Sequence, residues 1–310
     1  MNFGILGDAK ISRNQLIPAL HQAGCSFVHL GTRNPQTLTD GFYDKSVKVG
    51  RYEDVLADTD VEAVYIPLPN HLHAKWSIDA LNAGKHVLCE KPMALSLSEI
   101  DAVEEAAMAN NRYFYEAFMV RSHPQWNWLK KIDIGTAMHI SATFSYPPRA
   151  EGNVRNYAYM GGGPVLDIAG YTLLAGMMIF ESKPQLLFCD MQMEPHLDVE
   201  KTMNALLDFG EGRRLSMQVS SAMALSQTVH LTSDNGWARL DTPFNPDEIA
   251  TASWALGELG EGTKLSFEPC NQYALMLNEF ITSCQNQTKP NFTTSKQICA
   301  LLQELLTTRT

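Results

Sequence analysis

The chain has 310 residues, 45% of them hydrophobic and 19% charged. At roughly 150 residues per domain this predicts about two domains with proper cores, and it excludes a mainly disordered chain. With 24 Lys+Arg against 34 Asp+Glu the formal net charge is −10, which argues against a nucleic-acid partner, because that needs a basic face.

No membrane partner is expected. The most apolar stretch, Tyr171 to Phe180, is ten residues long, about half of the ~20 that cross a bilayer. The opening MNFGILGDAK has no basic region and only a short apolar run, so it does not read as a secretory leader. Six scattered cysteines without a C-x-x-C pair read as reduced thiols of a cytoplasmic protein.

In chain order, Phe3 to Gly7 reads as a buried strand and Ile11 to Ala23 as a helix, with Leu16, Ile17 and Leu20 on one face. Strand-like runs follow at Ser26 to Leu30, Val61 to Ile66, His86 to Cys89 and Arg112 to Glu116. Helices are predicted between them at Tyr52 to Ala57, His71 to Ala83 and Ser96 to Asn110, the last with a capping box of Ser96 and Glu99. This alternation predicts a doubly wound parallel sheet.

After Arg121 the pattern changes. One helix, Gln125 to Lys131, leads into strands at Ala137 to Ser145, Leu186 to Met193, Met203 to Phe209, Arg214 to Ser220, Thr228 to Thr232 and Trp237 to Leu240. Glu211-Gly212 and Asn235-Gly236 suggest hairpins. An apolar helix is expected from Val165 to Ile179, and helices at Asn271 to Gln285 and Thr294 to Leu306. The fold class is therefore α/β: a doubly wound domain over 1–121, and over 122–310 an α/β domain with a large, open, mostly antiparallel sheet.

The turn from the first strand into the first helix carries Gly7-Asp8-Ala9-Lys10-Ile11-Ser12. That is where a dinucleotide fingerprint belongs, because a pyrophosphate needs a tight turn and free helix N–H groups. Gly7 keeps the first glycine, and Ala9 and Ser12 replace the other two. Asp8 is awkward there unless its carboxylate points away. An NAD site usually has an acid about 20 residues on, for the ribose 2′-OH. Here Thr32 and Arg33 stand instead, and they suit a 2′-phosphate, so NADP is expected over NAD. The plain alternative is a surface arginine in the turn Arg33-Asn34-Pro35.

Further on come Pro67-Leu68-Pro69-Asn70-His71-Leu72-His73, Glu90-Lys91-Pro92, Glu116 to Arg121, Asn153-Val154-Arg155 and Gly161-Gly162-Gly163-Pro164-Val165-Leu166-Asp167. In this order they resemble the glucose–fructose oxidoreductase / inositol dehydrogenase (Gfo/Idh/MocA) family. Tyr171, where many members hold a histidine, looks more like the dihydrodiol dehydrogenase / NADP-dependent xylose dehydrogenase branch. The resemblance runs from about residue 2 to 180. It implies an N-terminal Rossmann domain and a C-terminal substrate domain that usually forms homodimers or homotetramers through its sheet. It implies cofactor contacts at Gly7, Ala9, Lys10, Ile11, Thr32, Arg33, Pro67, Leu68, Asn70, His71, Glu90, Lys91 and Arg121, and substrate contacts at Asn153 and Arg155.

The same resemblance implies that Lys91, Asp167 and Tyr171 carry the chemistry. Lys91 directly follows a predicted parallel strand, at the sheet edge where ligands bind. An ammonium there can hold a developing alkoxide, and Pro92 can form a cis peptide that aims it. Asp167 and Tyr171, four apart on one helix, share a face. A phenol working near neutrality needs a cation beside it, which Lys91 can supply. The plain alternatives are a solvated lysine, a helix-start acid and a core tyrosine. His71-Leu72-His73 lacks acidic or Cys partners at ligand spacing, so no metal is expected.

Together these features predict an NADP-dependent oxidoreductase acting on a sugar, an aldose such as a pentose, or on a cyclic diol. The alternative is a non-catalytic nucleotide-sensing or binding protein on the same fold, which has no need to keep Lys91, Asp167 and Tyr171 together.

Overall fold

The computed structural model describes residues 1–37, 43–257 and 262–308. The chain forms two compact units, Met1–Met119 with Asn271–Lys296, and Val120–Cys270 with Gln297–Thr310. Residues 271–296 thus return to the first unit.

The first unit is built on β1 (Asn2–Leu6), β2 (Ser26–Gly31), β3 (Lys48–Gly50), β4 (Ala63–Ile66), β5 (His86–Cys89) and β6 (Phe114–Glu116). All neighbouring pairs are parallel, in the order β3-β2-β1-β4-β5-β6. This is the Rossmann order, and it sets the carboxyl ends of all six strands along one edge. Phe3, Ile5 and Leu6 are fully buried, as is the whole of β4. Strands covered on both faces carry continuous apolar runs, which is why these segments were readable as strands. Around them lie α1 (Ile17–Gln22), α2 (Tyr52–Ala57), α3 (His73–Asn82) and α4 (Leu97–Ala109). A π-helical turn, Ser12–Leu16, leads into α1 in place of the regular helix expected. The capping box of α4 forms as expected, with Glu99 N–H donating to Ser96 Oγ at 3.2 Å.

The second unit carries α5 (Pro124–Lys131), β7 (Ala137–Ser145), α6 (Gly170–Phe180), β8 (Gln185–Met193), β9 (Glu200–Asp208), β10 (Arg214–Ser220), β11 (Ser226–Ser233), β12 (Gly236–Leu240), β13 (Thr251–Leu256) and β14 (Thr263–Ser266). The remaining helices are α7 (Gln272–Gln285), in the first unit, and α8 (Thr293–Thr307). The eight strands run β14-β13-β12-β11-β7-β10-β9-β8, antiparallel except for the parallel pair β7 and β10. The sheet has one apolar and one polar face. Ile140, Ala142, Phe144, Leu215, Met217 and Val219 are buried. On the polar face Thr143 bonds Thr228 at 2.9 Å and Gln218 bonds Asn204 at 3.0 Å. Ala158–Phe180 is long and apolar enough by composition to cross a membrane, and an 18-residue apolar window within it is 83% buried inside the structure.

Candidate active site

In the first unit the motif residues gather at the carboxyl ends of β1, β2, β4 and β5. Gly7 has φ of +120°, and a Cβ there would lie 3.0 Å from a Leu68 methyl. Only glycine turns the chain here without strain. Ser12, at the third fingerprint position, is 1% exposed, so a small residue serves the close helix–strand packing that a glycine usually provides. Its hydroxyl has no hydrogen-bond partner among the described residues.

Asp8 does not face the turn as a bare carboxylate. Arg13 Nε donates to its Oδ1 at 2.6 Å, Arg13 Nη2 pairs with its Oδ2, and the Tyr43 hydroxyl donates to it as well. Burial works against the charge, yet the Arg13 and Tyr43 bonds hold this carboxyl below its ordinary range. Burial and the Asp8 carboxylate push the Tyr43 phenol up to about 12. The departure at position 8 is thereby neutralised within the first turn. At the end of β2, Thr32 N–H donates to Gly50 O at 2.9 Å. Arg33 beyond it is exposed and forms no ion pair among the described residues. The open glycine turn, the packed Ser12 and the exposed Arg33 fit a phosphorylated dinucleotide.

Lys91 follows β5 and is half-buried, and its peptide bond to Pro92 is cis. The loop around it is held on three sides. Tyr65, fully buried on β4, donates to Glu90 Oε1 at 2.7 Å. Glu116, at the end of β6, accepts from Met93 N–H at 2.9 Å and from Ser295 Oγ at 2.5 Å. His73, 1% exposed, lies with Nδ1 2.7 Å from Pro92 O and Nε2 2.6 Å from Leu68 O. The ring ties the loop after β5 to the turn after β4. Asn70 and His71 on that turn are half-buried.

In the second unit Asp167 is 8% exposed and pairs with Arg155, whose Nε lies 2.5 Å from Asp167 Oδ2. The Asp167 charge holds the guanidinium protonated, and Tyr146 and Tyr171 contribute to the same electrostatic cluster. Asn153 caps the short turn that carries Arg155, accepting its N–H at 3.1 Å. Asp167 sits in a π-helical turn, Val165–Ala169, that leads into α6, where a regular helix was expected. Such turns are rare and recur at functional sites. Tyr171, 5% exposed, packs its ring 5.7 Å from those of both Phe144 and Phe244. Arg155 and Tyr146, with Arg149, Tyr157, Glu194 and His196, line a cavity of about 590 Å³. Arg121 is exposed at the start of this unit.

Three residues of these sites went unread in the sequence. The sequence gives His73 no role of its own beyond its place in the motif Pro67 to His73 and at the start of a predicted helix. Tyr146 is 3% exposed, and burial beside the Asp167 carboxylate pushes its phenol up. Its signal was only its place at the end of β7. Glu200, 4% exposed, accepts Val165 N–H at 2.7 Å. Among the described residues no three His, Cys, Asp or Glu side chains cluster as metal ligands would.

Known proteins match over most of the length. A model of an oxidoreductase family with an NAD-binding Rossmann fold matches residues 1–118, and one of the GFO/IDH/MocA C-terminal domain matches residues 127–239. An uncharacterized oxidoreductase of Rhizobium meliloti, ORF334, is 34% identical over 295 residues, 90% of this chain and 87% of its own. A D-xylose 1-dehydrogenase (NADP(+)) of Haloferax volcanii is 27% identical over 296 residues, 94% of this chain and 91% of its own. The crystal structure of KijD10, a 3-ketoreductase from Actinomadura kijaniata in complex with NADP and TDP-benzene, superposes with a TM-score of 0.91. It is 25% identical and covers 99% of this chain and 97% of that one. Taken with the Rossmann order of the first sheet and the mostly antiparallel second sheet, these matches establish that the chain belongs to the Gfo/Idh/MocA oxidoreductase family.

Proposed function

We propose that the protein is an NADP-dependent oxidoreductase that interconverts a hydroxyl and a carbonyl carbon of a sugar, an aldose of the xylose kind before a cyclic diol. The observation that carries this reading is the Asp167–Arg155 pair beside Tyr171, next to a cavity of about 590 Å³. That volume lies within the usual range of small-molecule sites. NADP is supported by Arg33, exposed at the end of β2 where an NAD site carries an acid. The Haloferax relative and the KijD10 complex, named with NADP, point the same way.

In this reading Gly7, Ala9, Lys10 and Ile11 hold the pyrophosphate. Thr32 and Arg33 take the 2′-phosphate, and Pro67, Leu68, Asn70, His71, Glu90 and Arg121 line the nicotinamide end. The dinucleotide, when bound, supplies or accepts the hydride. Lys91 holds the substrate oxygen as negative charge grows on it. Tyr171 gives or takes that oxygen's proton, and Arg155 is a cation available to the phenol within its own unit. Asp167 keeps Arg155 in place, and Arg155 and Asn153 orient the substrate.

The cavity wall argues for a neutral polyol. Arg149 and Arg155 are balanced by Glu151 and Glu194. One observation favours a second substrate, a dTDP-linked ketosugar, in line with KijD10 being a 3-ketoreductase crystallised with TDP-benzene. Arg149 lies over the Tyr146 ring at 4.6 Å and has no carboxylate partner among the described residues. The remaining parts of the reading are a cytoplasmic location, for which the six cysteines scattered along the sequence without a C-x-x-C pair speak, and a homodimer or homotetramer through the C-terminal sheet. For the latter, Leu187 and Phe188 on β8 are 49% and 53% exposed.

The test is absorbance at the reduced-nicotinamide band, with NADP or NAD against pentoses, hexoses and cyclic diols, and with NADPH or NADH against dTDP-linked ketosugars. Turnover of a free aldose with NADP preferred supports the proposal, and turnover of dTDP-linked substrates alone selects the second. Tight NADP binding with no turnover on any of them would make the protein a sensor.

A further inference from the structure

We propose that Glu200 is a positioning residue for the reaction, setting the start of the helix that carries Asp167 and Tyr171. The proposal rests on the roles given to those two side chains above.

Glu200 opens β9 directly after the hairpin loop whose Glu194 and His196 line the cavity. Its carboxylate is buried and accepts the N–H of Val165, the first residue of the π-helical turn, at 2.7 Å. A helix start leaves its first N–H groups without intrahelical partners and carries partial positive charge, so a buried carboxylate is at home there. Asp167 lies in that turn, and Tyr171 lies in the first turn of α6 beyond it.

The triple glycine is the complement of this carboxylate. Gly163 has φ of +90°, and a Cβ on it would run into the Glu200 carboxylate. A Cβ on Gly162 would run into the backbone carbonyls of Arg155 and Tyr157. Gly163 N–H also donates to Arg155 O at 2.9 Å. The glycine turn is therefore clasped between Glu200 on one side and the backbone of Arg155 on the other. Arg155 in turn carries the guanidinium that pairs with Asp167. One buried acceptor fixes where the helix begins, and with it the place of the acid, its cation and the phenol. The sequence shows the glycines but not their partner, because β9 approaches them only in the folded unit.

The experiment compares Glu200→Ala and Glu200→Gln with the wild-type chain. Amide hydrogen exchange is read across residues 163–171, alongside kcat, KM and NADP affinity. In Glu200→Ala the Val165 amide should exchange about tenfold faster, because its acceptor is gone. On a turned-over sugar kcat should fall about tenfold with NADP affinity unchanged. Glutamine keeps an acceptor oxygen without the charge, so Glu200→Gln should return both readouts to within about threefold of wild type. Unchanged exchange over 163–171 in Glu200→Ala overturns the proposal, as does a Gln variant no better than the Ala variant. Should Glu200→Ala not fold, Glu200→Asp takes its place, and wild-type exchange in that shorter variant overturns the proposal equally. Exchange needs no turnover, so faster exchange in a chain inactive on every substrate would strike the enzymatic reading, and with it the role in the reaction, while Glu200 would still be shown to set the start of the helix.

Discussion

His73 gives a pH dependence whose size follows from its surroundings. The ring is 1% exposed between the carbonyls of Leu68 and Pro92. Burial lowers its affinity for protons, the two carbonyl bonds raise it, and the charges of Lys91 and His71 lower it. The net result is a fall from 6.5 to about 4. A folded value below the unfolded one means that the unfolded chain binds the proton first as pH falls. The stabilisation is therefore complete above pH 6.5 and lost progressively as pH drops through about 4. At about 1.4 kcal/mol per unit, the loss amounts to about 3 kcal/mol.

The assay is urea unfolding at intervals between pH 7 and pH 4, on the wild type and on His73→Asn, which does not titrate. Burial also lowers His86 and His123, and both add to the wild-type slope in this window. The difference between the two proteins isolates His73. The wild type should lose about 3 kcal/mol more than the variant over this range. Parallel curves would refute the reasoning, and would mean that burial does not outweigh the two carbonyl contacts that favour the protonated ring.

Two predictions concern the cofactor. Arg33→Ala should raise KM for NADP by about 10- to 100-fold, the worth of a charge-assisted phosphate contact, and leave KM for NAD nearly unchanged; equal effects on both cofactors would remove Arg33 from the 2′-phosphate. Arg13→Ala should weaken NADP binding about tenfold by uncovering the Asp8 carboxylate beside the phosphate turn, and adding Asp8→Asn should recover most of that loss. Titration of NADP into the single and double variants measures this coupling, and strict additivity would mean that the pair does not act as a unit.

Much of the first unit was legible because its signals are local. Parallel strands buried on both faces appear as unbroken apolar runs, and Ser96 with Glu99 announces a helix start within four residues. The strands that escaped notice are β3, β13 and β14. The first is three residues long, the other two have little apolar alternation, and β3 and β14 are sheet edges. Residues of the candidate site divide in the same way. Gly7, Lys91 and Asp167 stand in motifs that name themselves. His73, Tyr146 and Glu200 act through partners distant in sequence or through burial, so neither spacing nor periodicity could point to their roles. The two π-helical turns, Ser12–Leu16 and Val165–Ala169, were likewise invisible, because their residues suit an ordinary helix equally well.

The central claim is that Lys91 acts on the substrate oxygen during an NADP-dependent hydride transfer. Single-turnover stopped-flow absorbance at the reduced-nicotinamide band, with wild type and Lys91→Met preloaded with NADP, tests it most directly. The account predicts a hydride-transfer rate lowered about 1000-fold in the variant, with NADP affinity within about threefold of wild type. A variant that transfers hydride at the wild-type rate would contradict it.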